Sequence, residues 1–265
     1  MDGEGVIHTV DVSNSALPQQ AGVYSQTGGY VQGLDAAGTL LSFADGSGHL
    51  QVLDIADTAS PVLTGTYVDE NNGWLGAVIV SGSRVYTTPS SSAVQIVDIT
   101  DPTAPQKIGE YTAELVWPPS IAVSGDRLFA AVRPGFDGMN TIGQNALNIV
   151  DVTDPGQIQV VGAYPGFVEA MTLLGPLALA LIDDSVHLVD LSDQTLPKKL
   201  ADIDGIAETR ISALAATGEH LFVHYGFGAE SGLAVVDISR FVRMFASGDP
   251  GDVDRSRTIA NVPSH

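Results

Sequence analysis

The amino-acid sequence predicts an all-β fold, a β-propeller of four-stranded antiparallel blades. Three observations predict it. An aliphatic segment ending near an aspartate recurs as "IHTVDVS", "LQVLDIA", "VQIVDIT", "LNIVDVT", "VHLVDLS" and "LAVVDIS". Its aspartates, Asp11, Asp54, Asp98, Asp151, Asp190 and Asp237, lie 43, 44, 53, 39 and 47 residues apart, the period of a propeller blade. Between these segments runs a second repeat, two apolar stretches about a turn glycine: Gly38, Gly82, Gly125, Gly175 and Gly218.

Each element has a local reason. The aspartate-bearing segment is β-branched and aliphatic throughout, which suits a strand covered on both faces. Three residues after the aspartate come Asn14, Asp57, Asp101, Asp154 and Asp193, whose side-chain oxygens can fold onto nearby backbone N–H groups and close a turn. Proline follows in four copies, Pro18, Pro61, Pro105 and Pro197, and marks the next strand as an edge strand. That strand carries Gly22, Gly65, Gly109, Gly162 and Ala201 in one column, and Tyr24, Tyr67, Tyr111 and Tyr164 two residues later. The turn glycines each join two apolar strands in a tight hairpin. One unit is therefore a hairpin, an aspartate strand, a turn and an edge strand. A lone sheet of this composition leaves both faces wet; stacking copies about an axis covers them.

Six aspartate strands against five glycine hairpins favour six blades, the first incomplete, with five as the alternative. Residues 1–265 read as one propeller domain with a tail at 249–265. The segment "RSRTIANV" in that tail is expected to supply a missing inner strand to the first blade and close the ring. In the last copy Arg240 replaces the turn acid and Met244 the proline, so its edge strand is expected to be lost or replaced by a short helix.

The segments "VQIVDITDPTAPQKIGEY" and "LNIVDVTDPGQIQVVGAY" resemble the LVIVD-repeat family of bacterial and archaeal propellers, and the likeness runs over residues 5–248. The resemblance implies a propeller, a place within larger secreted or surface proteins, and hence an extracellular or cell-surface location. It implies no catalytic residues.

Composition narrows function further. At 44% hydrophobic, 265 residues can bury a substantial core. Eleven Lys and Arg against 31 Asp and Glu give a net charge of −20, which repels phosphate backbones and anionic membranes and argues against nucleic-acid binding. Such a surface suits a cation or a basic partner. Cysteine is absent, so disulfides, thiolate metal sites and cysteine nucleophiles are excluded. The opening "MDGEGVIHTV" has no basic stretch before an apolar run, so no signal peptide is expected within this chain. The most apolar region, 167–191, is interrupted by Glu169, Gly175, Pro176, Asp183, Asp184 and Asp190 and reads as strands and turns rather than a membrane span.

The repeat alignment also places a candidate site. Eight residues before the turn glycines stand Tyr30, Trp74, Trp117, Phe167 and Arg210, and two residues further on Gln32, Gly76, Pro119, Glu169 and Ser212. Strand alternation puts residues two apart on one face, so these are expected to line one mouth of a central channel. There flat rings would stack on a glycan, peptide or protein ligand and polar groups would orient it. The returning strands end near Asp45, Thr88, Arg133, Asp183, His224 and Tyr225 at the same mouth, and Arg133 opens the longest insertion. The alternative to a binding module is an enzyme of lyase or hydrolase type, with Glu169 and Arg210 in acid–base roles beside Trp117. A purely architectural domain of a surface protein is the third reading. No G-x-S-x-G, P-loop, G-x-G-x-x-G or H-E-x-x-H motif occurs. His8 and His187 share a column with Gln51, Gln95, Asn148 and Ala234, which reads as structural. His220 and His224 lie about 13 Å apart on a strand, too far for one ion. Asp249, Asp252 and Asp254, and separately Asp69 and Glu70, give oxygen-rich loops that could take calcium. Solvated acidic loops are the simpler reading, and no metal or cofactor is expected.

Overall fold

A glycine with positive φ begins each two-residue hairpin. Gly38, Gly82, Gly125, Gly175 and Gly218 have φ between 56° and 61°, the conformation a type II′ turn demands at its first central position. The computed structural model describes residues 5–25, 30–70, 73–90, 93–113, 120–137, 140–183, 185–203, 211–226, 231–247 and 257–263. These hairpins seed five four-stranded antiparallel sheets.

The chain divides into two compact units, the first comprising Met1–Glu114 with Val152–Ile158 and the second Leu115–Asp151 with Gln159–His265. The first unit opens with a two-stranded sheet, β1 (Val6–Asp11) and β2 (Gln19–Ser25). Two blades follow: β3 (Val31–Ala37), β4 (Leu40–Asp45), β5 (His49–Asp54) and β6 (Val62–Val68), then β7 (Leu75–Ser81), β8 (Arg84–Pro89), β9 (Ala93–Asp98) and β10 (Gln106–Thr112).

In the second unit β11 (Ile121–Ser124) and β12 (Arg127–Val132) precede a separate small sheet, β13 (Gly135–Asp137) with β14 (Asn140–Ile142). Strands β15 (Ala146–Asp151) and β16 (Gln159–Pro165) complete that blade. The next blade is β17 (Val168–Leu174), β18 (Leu177–Ile182), β19 (Ser185–Asp190) and β20 (Lys198–Ile203). The last is β21 (Ile211–Thr217), β22 (His220–Tyr225), β23 (Gly232–Asp237) and β24 (Arg257–Pro263), with helix α1 (Ser239–Ser247) between β23 and β24.

Two expectations are corrected. Among the described residues there are five four-stranded blades, the alternative count, rather than six, and the first copy is seen as β1 and β2 alone. The tail does not supply an inner strand to that copy. It pairs as β24 with β23, Leu233 opposite Val262 and Asp237 opposite Arg257. The reason lies in the last copy, where α1 takes the place of the acidic turn. Ile238 and Phe241 are buried there, which diverts the chain from the edge of β23. The N–H and C=O groups along that edge then find their partners in the tail.

The recurring turn is an Asx turn in every copy that keeps its acid or amide. The N–H groups of Ala16, Ala59, Thr103, Gly156 and Thr195 donate at 2.9–3.2 Å to the side-chain oxygens of Asn14, Asp57, Asp101, Asp154 and Asp193. The preceding aspartates work alike: Asp11, Asp54, Asp98, Asp190 and Asp237 each accept the N–H two residues on, at 2.8–2.9 Å. Hydroxyls at Thr100, Thr103, Thr195 and Ser239 hold Asp98, Asp101, Asp193 and Asp237 below the usual carboxylate range.

These turns are where one sheet meets the next. A β-carbon at Gly22, Gly65, Gly109 or Gly162 would overlap the carbonyl oxygen of Thr58, Pro102, Pro155 or Gln194, the residue just after each Asx position. The edge strand thus carries glycine because a neighbouring turn's backbone occupies the space. The tyrosines two residues on make the second contact. Tyr24 and Tyr67 donate to the Oε1 atoms of Gln51 and Gln95 at 3.3 and 3.2 Å. Tyr164 lies 3.1 Å from Nδ1 of His187. Between the tyrosine contacts, aliphatic clusters fill the sheet-to-sheet space, such as Leu50, Val52, Leu75, Val85 and Val97 in the first unit.

Candidate functional site

The inner strands do not begin with simple alternation. Pairing passes from Val31–Asp45 to Gly33–Ala44, from Leu75–Pro89 to Val78–Thr87, from Val168–Ile182 to Ala170–Leu181 and from Ile211–Tyr225 to Ala213–His224. Each is a β-bulge in the first residues of β3, β7, β17 and β21. The extra residues are Gln32, Gly76 with Ala77, Glu169 and Ser212. Bulges re-aim a side chain and increase local twist, so the residues two apart in the candidate column do not share a face by alternation alone. In β7 the bulge is tied down by Thr88, whose hydroxyl accepts the Ala77 N–H at 2.9 Å. Gly33 is needed beside it, since a β-carbon there would overlap the Gly76 carbonyl oxygen.

In the first unit Tyr30 and Gln32 stand exposed at the start of β3, Tyr30 at 66%. Trp74 is half-buried immediately before β7, packed over Gly76, and its carbonyl accepts the Ser90 N–H at 3.1 Å. Strands β3 and β7 are packed side by side, so this unit brings Tyr30, Gln32 and Trp74 to one end of adjacent sheets. In the second unit Phe167 is exposed and Glu169 half-buried about the start of β17. Arg133 is exposed just past β12. His224 is exposed at the end of β22, and Tyr225 is half-buried with its ring over Gly232. Asp183 holds φ 48° in the turn after β18, a left-handed conformation uncommon outside glycine. Trp117, Pro119, Arg210, Asp249, Asp252 and Asp254 lie outside the described residues, and with them half of the Glu169–Arg210 pair. Among the described residues no three His, Asp or Glu side chains gather as a metal-binding set.

A shallow cleft of about 300 Å³ opens in the second unit, lined by Ser124, Phe129, Gly175, Leu191 and Gln194 among others. It sits at the hairpin-turn end of β17, away from Phe167 and Glu169.

Sequence reasoning placed Asp45 at a strand end and Asp69 in an oxygen-rich loop, but missed Asp202 and missed that all three acids stand behind the polar column. Asp45, 2% exposed, accepts the Ser47 and His49 N–H groups, the His49 ring and the Gln51 amide at 2.9–3.0 Å. Burial pushes its carboxyl up, but these donors outweigh it and hold it below the usual range. Asp69, 1% exposed, accepts the Gln95 amide at 2.8 Å. Burial, with Asp69, Glu70 and Glu110 adding repulsion, pushes the Tyr67 hydroxyl up to about 12, so it stays a donor. Asp202 takes the third position, 3.3 Å from Nε2 of His187 and 2.9 Å from Nζ of Lys199. The signal was present as acids near the ends of the same strands, but their reach into a neighbouring column is a tertiary fact.

His187 allows a pH prediction. Burial first, and then Lys199, lower its pKa, against opposing pulls from Asp202 and Asp183. The two sets disagree in sign, and burial decides because only the neutral ring suits a half-buried site. A histidine lowered in the folded state contributes its full stability above its unfolded pKa of about 6.5 and loses it as pH falls through that value toward the folded one. His187→Gln, which copies Gln51 and Gln95, is expected to flatten the decline in melting temperature below about pH 6.5. An unchanged slope would remove His187 as its source.

The comparisons agree with this architecture. Residues 28–69 and 73–113 match the LVIVD repeat. No curated protein matches the chain. Among solved structures it is similar to the Cps50 (Swd1) β-propeller domain of Myceliophteria thermophila, at 13% identity, 99% of this chain, 81% of that one and a TM-score of 0.68. A chain of the mitotic checkpoint complex matches at 14% identity over 99% of this chain and 78% of its own, TM-score 0.64. The computationally designed Ika8 protein matches at 14% identity and TM-score 0.60 over 93% of this chain, which spans only 66% of that one. At these identities the likeness shows the fold alone. Repeat, sheet order and structural likeness together make this chain a β-propeller protein that carries LVIVD repeats.

Proposed function

We propose that this protein is a binding module that engages a glycan, peptide or protein ligand with the strand-start ends of its blades. The observation that carries the reading is Tyr30, a large ring 66% exposed directly ahead of a bulged inner strand and beside the strand that presents Trp74. Exposed aromatic rings on a rigid support offer stacking area at small conformational cost. Phe167, with Glu169 beside it, presents the same combination in the second unit. Propeller folds serve broadly as interaction platforms, and an acidic surface of net charge −20 favours neutral or basic ligands.

The test is a glycan and peptide array followed by titration of the hits on tryptophan fluorescence. Tyr30→Ala and Phe167→Ala are expected to weaken binding about tenfold, the equivalent of one stacked ring, while leaving the melting temperature unchanged. Hits that bind both variants as tightly as the parent would overturn the assignment.

A further inference from the structure

The β1–β2 sheet differs from the five blades in what it leaves uncovered. β1 is an aspartate strand like β5, β9, β15, β19 and β23, yet among the described residues it is paired on one edge only. Val10 is 50% exposed. Its counterparts immediately before the repeat aspartate, Leu53, Val97, Val150 and Val189, are 0% exposed and Val236 1%. Val12 is 65% exposed, where Ile99, Val152, Leu191 and Ile238 range from 0% to 4%.

In four of the other copies the preceding sheet provides the cover. Leu53 packs with Ile7, Val97 with Leu50 and Val52, Val189 with Leu147 and Ile149, and Val236 with Val186 and Leu188. That sheet also contributes an edge-strand glycine against the carbonyl four residues past the aspartate. Two residues later its tyrosine reaches the side chain three residues before the aspartate. On β1 those receiving positions are Ser15 and His8. The polar receiver and the tyrosine change together: Ile203 stands in the tyrosine column where the next blade has Ala234, and both lie in one apolar cluster. His8, whose ring pairs with the Gln20 side chain at 2.9 Å, is polar like Gln51, Gln95 and His187, the positions that a tyrosine of the preceding sheet reaches. By register the chain's last edge strand offers Ala260 and Val262 in the two columns, opposite Val235 and Leu233, as Gly65 and Tyr67 stand opposite Val52 and Leu50. It lacks the complement.

We propose that the exposed face of the β1–β2 sheet docks a further blade of this same repeat class, from outside residues 1–265, whose outermost strand carries Gly-x-Tyr. The inner hairpin that follows such a blade pairs with the open edge of β1 and completes four strands.

Two experiments test this. In the 265-residue chain, Val10→Lys and Val12→Lys are expected to leave the melting temperature within about 2 °C of the parent, as substitutions on an uncovered surface do. Amides of β1 should exchange rapidly and the chain should run as a monomer. In a chain extended before residue 5 by a copy of residues 73–132, which ends its blade with Gly109-Glu110-Tyr111 and adds an inner hairpin, β1 amides should exchange about tenfold more slowly or better. Tyr111→Phe in the added copy should reverse part of that protection. A large melting loss from the lysine variants, or slow β1 exchange in the monomeric parent, would mean the chain covers this face itself. Protection that follows a concentration-dependent dimer would assign the face to a second copy. Rapid β1 exchange in the folded extended chain would overturn the proposal.

Discussion

Gly162→Val is expected to destabilise the protein by about 3 kcal/mol, lowering its melting temperature by roughly 6–12 °C. A β-carbon at residue 162 would overlap the Gln194 carbonyl oxygen and lie 3.0 Å from its carbon. Those atoms are backbone, held by the Asx turn of Asp193, so the only relief is to part the β15–β16 edge from the β17–β20 blade. Gly38→Ala is the control. Gly38 has φ +61° with nothing within 4 Å of a β-carbon, so its cost is conformational, about 1–2 kcal/mol. The sequence supports the steric account. Ala201 fills the glycine column in the one edge strand whose next copy replaces the Asx turn with α1. Calorimetry that finds Gly162→Val no worse than Gly38→Ala would refute it.

Gln95→Leu should cost about 3–5 kcal/mol, the range for breaking a buried polar network at one member. Gln95 is fully buried. It accepts from Tyr67 at 3.2 Å and donates to Asp69 at 2.8 Å. Asp69 Oδ2 already has no hydrogen-bond partner among the described residues, so leucine would leave both carboxylate oxygens dry and unpaired. Tyr67→Phe alone should cost about 1 kcal/mol. In the Gln95→Leu background it should cost close to nothing, because the hydroxyl has lost its acceptor. Additive effects in denaturant unfolding would show that the three groups do not act as a unit. Ile203 and Ala234 show the other stable solution, in which both partners become apolar.

Much of the blade was legible in the chain because its determinants are local. Period, turn glycines, Asx residues and edge prolines each act within a few residues, and all predict the observed sheets. The Gly-x-Tyr pattern on the edge strands was visible as a repeat, but its cause was not, because the carbonyl and glutamine it serves lie in the next sheet. The candidate column was legible as a set of residues at strand starts. Its facing was not, because a bulge inserts one residue where strict alternation was assumed.

By itself the sequence determined the four-stranded unit, its antiparallel order, the turn types and the acidic surface, since these follow from side-chain chemistry over short spans. Only the tertiary structure decided which strand completes the last blade, which acids brace the polar column and which copy of a buried valine stands in water. Those outcomes depend on which backbone edges and faces find partners across long stretches of chain, and no local preference encodes that choice.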